Sequence, residues 1–163
     1  MPSCGPLTWR RAETEGESRE GLPLTGFVVK DLEQAISFYT NVLGLRLAFR
    51  MERQGPFVDQ VLGFPGVHIK GAFLNMGEGH QLELIQYLSP ASGPGGIHRN
   101  DLGAAHLCFY VENIDRFYAE KSRQGLRPIN SPAEHRDEQG RLIRKVLYAQ
   151  DPEGNWLEFV ELL

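Results

Sequence analysis

Two glutamates and a histidine are the residues here whose types and spacing could do chemistry. Glu83 lies in GHQLELIQYL (79–88) and Glu158 in GNWLEFVELL (154–163), each a carboxylate at the centre of an apolar run. If both runs are strands, alternation puts Gln81, Glu83, Ile85 and Tyr87 on one face, with Leu82, Leu84 and Gln86 on the other. Trp156, Glu158 and Val160 share a face in the same way. In 105–111, His106, Cys108 and Tyr110 face one way, and Leu107, Phe109 and Val111 form an apolar face that packs under a helix. His106, Glu83 and Glu158 then point away from the helices, into whatever the sheets enclose. A buried carboxylate is costly unless paired or metal-bound. Two carboxylates and an imidazole together have the composition of a divalent-metal site. The competing reading is an ion-paired or solvent-facing glutamate and a histidine with an ordinary polar partner.

The elements that must position these groups follow from periodicity. A strand is expected over 24–29. Leu32, Ala35, Ile36, Tyr39, Val42 and Leu43 mark one face of a helix, with Asp31 as N-cap and Gly44 as stop. A strand over 45–50 and a loop over 54–66, rich in glycine and proline, come next. Strands over 67–75 and 81–88 are joined by a turn at 77–79. The stretch 89–103 is a linker by composition. Then come a strand over 105–111, a helix over 114–124, a strand from about 126, a polar loop through 131–140, and strands over 142–149 and 156–162 joined by a turn at 151–155. Residues 1–21, with Trp9 the one candidate anchor, show no periodicity and are expected to be a flexible extension.

The order repeats: each half reads strand, helix, strand, strand, strand. Val29-Lys30-Asp31-Leu32 aligns with Val111-Glu112-Asn113-Ile114, Gly44-Leu45-Arg46 with Gly125-Leu126-Arg127, and the two glutamate runs with each other. Such self-similarity indicates an internal duplication. It places Glu83 and Glu158 at equivalent positions and makes Leu24 the counterpart of His106.

Composition sets outer limits. The 163 residues are 41% hydrophobic and 23% charged, with a net charge of -4, which suits a globular domain and disfavours a nucleic-acid surface. No apolar run is long enough to span a membrane. Two cysteines far apart in the chain, Cys4 and Cys108, offer neither a disulfide framework nor a cysteine zinc site. With no signal-peptide pattern at the N-terminus, the expectation is a cytoplasmic protein.

The stretches GFVVKDLEQAISFYTNVLGLRL (26–47), GHQLELIQY (79–87), GAAHLCFYVENID (103–115) and DPEGNWLEF (151–159) resemble the vicinal oxygen chelate superfamily, which includes glyoxalase I, methylmalonyl-CoA epimerase, bleomycin-resistance proteins and extradiol dioxygenases. The resemblance implies an α+β fold of two tandem βαβββ modules forming a curved sheet around a central cleft. The domain would be 22–163, with modules at about 22–88 and 104–163. It implies a metal held from the first and last strands of each module, at the positions of Leu24, Glu83, His106 and Glu158. Leu24 departs from the His or Gln usual there and cannot ligate. Three ligands, Glu83, His106 and Glu158, remain for a divalent ion (Zn, Ni, Mn or Fe), or the metal has been lost and the cavity kept.

The retained Glu83 position favours glyoxalase- and epimerase-type chemistry. A metal polarises a carbonyl and a glutamate, Glu83 or Glu158, moves the α-proton. The expected activity is a lyase or isomerase acting on a small carbonyl compound or its thiol adduct. A non-catalytic drug-binding or resistance protein is the alternative, and an extradiol-type dioxygenase a third reading. Leu24, Tyr87, Tyr110, Trp156, His68 and Lys70 are candidates to line the cleft, and Arg141, Arg144 and Lys145 to catch an anion. The expected partners are a small molecule and a second copy of the chain, as a homodimer, with no nucleic acid or membrane.

Overall fold

The computed structural model describes residues 24–77 and 79–163. The proposed extension, Trp9 and Cys4 lie outside them. The chain forms two compact units that divide between Gly95 and Gly96. Each is built around one sheet.

In the first module β1 (Leu24–Val28) pairs parallel to β4 (His80–Ser89), which pairs antiparallel to β3 (His68–Gly77), and β3 to β2 (Arg46–Gln54), giving the order β1-β4-β3-β2. A parallel neighbour needs a crossover, and α1 (Leu32–Ser37), extended by one π-helical turn over Phe38–Val42, begins it. Asp31 caps α1 by accepting the Gln34 N–H at 3.0 Å, and Gly44 ends the segment in the left-handed region at φ 77°. The core lies under α1: Ala72, Leu74, Leu82, Leu84 and Tyr39 are completely buried. A short helix, α2 (Pro56–Leu62), occupies the region expected to be a loop. Its Val58 packs with Val67 and Ile69, against Met51, Leu62, Ile85 and Tyr87.

In the second module β5 (His106–Tyr110) pairs parallel to β9 (Trp156–Leu162), and β9 antiparallel to β8 (Leu142–Gln150). Helix α3 (Ile114–Lys121) begins the crossover. The fourth place in the sheet is shared by β6 (Arg127–Pro128) and β7 (Ala133–Arg136), both antiparallel to β8. Proline cannot donate to a ladder, so Pro128 and Pro132 break here what is one continuous strand, β2, in the first module. β7 falls inside the expected polar loop. All four of its residues are exposed, so only backbone pairing defines it.

The duplication is written in the backbone. The pairs Leu24–Gln81 and Gly26–Glu83 of β1 and β4 recur as His106–Trp156 and Cys108–Glu158 of β5 and β9. Phe73–Glu83 recurs as Tyr148–Glu158. Even a side-chain device is repeated: Gln86 accepts the Leu32 N–H at 3.1 Å, and Glu161 accepts the Ile114 N–H at 3.1 Å. Each fixes the start of a crossover helix to the last strand of its sheet. The fold is therefore α+β, with two βαβββ modules. Among the described residues no helix is long and apolar enough to cross a membrane.

The turn from β8 to β9 rests on Asp151, which is fully buried. Its carboxylate accepts from the backbone of Glu153 (2.8 Å) and Asn155 (2.9 Å) and from the Asn155 amide (2.9 Å). Hydrogen bonds to a charged acceptor contribute about 1.5–3 kcal/mol. Asp151→Ala should therefore destabilise the second module by about 2–3 kcal/mol, read as a lower urea midpoint with an unchanged slope.

Candidate active site

Glu158 stands at the centre of β9, with Cys108 of β5 on one side and Tyr148 of β8 on the other. The face opposite carries Leu157 and Phe159, both buried, so the period of two turns Glu158 away from the helix. Its Oε2 lies 3.2 Å from Nε2 of His106, and the Tyr148 hydroxyl lies 3.2 Å from the same nitrogen. The His106 and Tyr148 rings meet edge to face at 5.3 Å. Glu158 is the less exposed of the two, 20% against 45% for His106. Burial, aided by the Glu158 charge, pushes the Cys108 thiol up to about 11, and the same causes raise the Tyr148 phenol. Cys108 is therefore a protonated neighbour at neutral pH rather than a nucleophile.

The cleft beside this cluster, about 450 Å³, is lined by Arg99, Ala104, Ala105, His106, Tyr148 and Trp156. Trp156 is partly buried, and its indole N–H donates to the Ile97 carbonyl at 2.9 Å. Tyr110 shares the His106 face but is 62% exposed.

The first module has the same ladder with different chemistry. Leu24 stands for His106, Gly26 for Cys108 and Phe73 for Tyr148. Leu24 is half exposed rather than part of the core, and Phe73 stacks on Phe49 at 4.4 Å. Glu83 is left with neither an ion pair nor a hydrogen bond among the described residues. Burial raises its carboxyl above the ordinary value of 4.5. A carboxyl whose native pKa is raised binds its proton more tightly when folded. It weakens the fold as pH rises from 4.5 through the native pKa, and the penalty is complete above that. In metal-free buffer Glu83→Gln should therefore raise the thermal midpoint at pH 7 and leave it unchanged at pH 4. The gain should stay below about 1 kcal/mol, because solvent still reaches the group.

Two expected lining residues lie elsewhere. Lys70 pairs across β4 with Gln86, whose side chain meets α1, so Lys70 is on the helix face of the sheet, opposite to Glu83. His68 shares that face, and its Nε2 lies 2.6 Å from Glu52, the β2 partner of Lys70. Both faces of β3 are covered over part of its length, so apolar alternation could not decide which way they point. Tyr87 is on the Glu83 face, packed against the α2 cluster. The expected anion-catching cations are engaged locally: Arg141 with Asp137, Arg144 with the His135 ring, and Lys145 with Asp115 and Glu134.

Sequence reasoning missed Tyr148 and Arg99. Tyr148 was reachable, since it aligns with Phe73 in the repeat. Arg99 sits in an aperiodic linker that carries no such signal. Among the described residues no group of three His, Cys, Asp or Glu side chains is assembled. The second module brings together two metal-type donors, His106 and Glu158, and in the first module Glu83 occupies the matching ladder position. An imidazole and carboxylates suit a borderline divalent ion in kind.

The fold has relatives among known proteins. A 2-epi-5-epi-valiolone epimerase from Actinomyces sp is 29% identical over 141 residues, 83% of this chain and 76% of the epimerase. Lactoylglutathione lyase from Schizosaccharomyces pombe is 28% identical over 157 residues, and the match covers 91% of this chain but only 50% of the lyase. The crystal structure of a glyoxalase family protein from Bacillus cereus superposes with a TM-score of 0.77 at 22% identity, over 93% of this chain and 99% of that one. The family model of the glyoxalase, bleomycin resistance protein and dioxygenase superfamily matches residues 21–159, and with both βαβββ modules in place the chain belongs to that superfamily.

Proposed function

We propose that the protein is a glyoxalase-type isomerase or lyase that moves a proton α to the carbonyl of a small carbonyl compound or its thiol adduct. The observation that carries this reading is the pair of glutamates at one register position of the duplicated ladder, Glu158 against His106 and Glu83 without a partner among the described residues. His106 and Glu158 would hold a divalent ion, with Glu83 as third donor. When bound, the ion would supply Lewis-acid polarisation of the substrate carbonyl.

The chain's own groups do the rest. Glu83 takes the α-proton on a carboxylate oxygen and returns it, and a raised carboxyl pKa brings such a group closer to the working range of a general base at neutral pH. Tyr148, its phenol kept protonated, can donate a hydrogen bond to an oxygen that gains charge. The epimerase and lyase relatives support the reaction class. A homodimer and a cytoplasmic location belong to the same reading, the first checked by sedimentation.

The test is exchange of α-protons with deuterated water, followed by NMR, for a panel of small carbonyl compounds and thiol adducts, with and without added Zn, Ni, Mn or Fe. Metal-dependent exchange that Glu83→Gln abolishes supports the reading. A second reading, a non-catalytic small-molecule binding protein, is favoured by Leu24 in place of a ligand. Saturable binding without exchange under any metal would establish it instead. Leucine at that position also removes a ligand that the dioxygenase reading needs.

A further inference from the structure

Arg99 lines the cleft beside His106 and takes no part in the proton transfer. The linker that carries it is built rather than loose. The Asp101 carboxylate accepts the His98 backbone N–H at 2.7 Å, and the Asp101 N–H returns to the His98 carbonyl at 3.1 Å. Ala104 N–H closes the next turn on the Asp101 carbonyl at 3.0 Å, and the Trp156 indole holds the Ile97 carbonyl. The turn is thereby fixed to β9, the strand that carries Glu158.

The guanidinium carbon of Arg99 lies over two rings, 5.6 Å from the centre of Tyr148 and 5.5 Å from that of Trp156. A guanidinium over aromatic faces is held by its π surface and keeps its N–H edges for a planar, bidentate oxyanion. No acidic side chain takes those edges among the described residues. This contrasts with Arg141 and Lys145, whose charges are matched in place. Arg99 and His106 line the same cleft, and Tyr148 touches both.

We propose that Arg99 binds an anionic oxyacid group, carboxylate or phosphate, of the substrate and so selects anionic carbonyl compounds. This rests on the reading of His106 and Glu158 as part of the reaction centre. With the anion on the guanidinium edge, the substrate carbon skeleton extends toward His106, and the cleft excludes neutral analogues only by failing to hold them. Arg99 is thus a specificity-determining residue, not a group that moves the proton.

Trp156 sits beneath Arg99 and reports on the site. The chain has two tryptophans, so Trp9→Phe isolates its fluorescence. In that background, the protein is freed of metal by chelation, dialysed into chelator-free buffer, and titrated with lactate, with its neutral isostere lactamide, and with inorganic phosphate. Lactate or phosphate should change the Trp156 signal saturably, at least tenfold more tightly than lactamide. Arg99→Gln should lose that margin, while Arg99→Lys, which keeps the charge but not the fork, should retain part of it. Phosphate bound more tightly than lactate assigns the group to phosphorylated compounds, and the reverse assigns it to carboxylic acids. Equal binding of lactate and lactamide, or a margin unchanged in Arg99→Gln, overturns the proposal. The readout needs neither metal nor turnover. Charge-selective binding without proton exchange sinks the isomerase reading alone, and exchange without charge selectivity sinks this inference alone.

Discussion

Glu158→Gln should lower turnover by about 10²–10⁴-fold, the range for loss of a positioned acid–base or electrostatic group. Glutamine keeps the shape of the side chain, so the β9 ladder with β5 and β8 stays intact and the fold should survive. What changes is the charge between three groups that lean on it: His106 at 3.2 Å, the Cys108 thiol and the Tyr148 phenol. The exchange assay reads the activity, and titration of Cys108 in metal-free protein gives a reading that a merely structural role would not move. Its thiol, pushed up to about 11 by burial first and by Glu158 second, should fall part of the way back toward its ordinary value. Unchanged turnover and an unmoved thiol together would place the carboxylate outside the site.

The largest stability effect is expected one residue further along β9. Phe159 is 1% exposed. Its ring stacks on Phe109 at 5.5 Å and tilts against Phe117 of α3 at 4.4 Å. It joins the first and last strands of the second module to the crossover helix. Phe159→Ala removes the ring from a position that neighbours on two elements cannot fill, and such truncations cost about 3–5 kcal/mol. Urea unfolding should show the loss, with the second module's transition moving to lower denaturant. Phe57→Ser makes the contrast: at 76% exposed on α2, it should change stability by less than about 0.5 kcal/mol. Similar losses from both would mean that α2 contributes to the core through contacts its exposure does not suggest.

Much of this was legible in the residues, for physical reasons that differ by element. Helix α1 announced itself through its apolar period, the Asp31 cap and Gly44. β9 came out with its ends in place because Asp151–Asn155 is a strong turn and the run after it alternates cleanly. Strand parity put His106 and Glu158 on the face away from the helices, the resemblance implied both as ligand positions, and the structure brings them together. Helix α2 was missed because Gly55, Pro56, Gly63 and Gly66 read as loop punctuation. Here they are helix signals, with proline in the first turn and Gly63 ending the helix at φ 73°. Asp59 then ties the backbone of Gly66 and Val67 back to the helix at 2.9 and 2.7 Å. β7 has no side-chain signature. His68 and Lys70 were assigned no face by pattern, and their ladder partners decide against the Glu83 side.

Every strand ladder among the described residues closes inside its own module. The parallel pairing of β1 with β4 has a consequence for how the chain folds as it is made. Of the described strands β1 leaves the ribosome first, and its one sheet neighbour among them is the last strand of the same module, so that pairing waits until β4 has emerged. From that point the first sheet needs nothing beyond Ser89 to complete itself. Loop-closure entropy is set by the length of one module rather than of the whole chain. The second half can repeat the process while the first is already shut, which shortens the time during which an unpaired edge is open to aggregation.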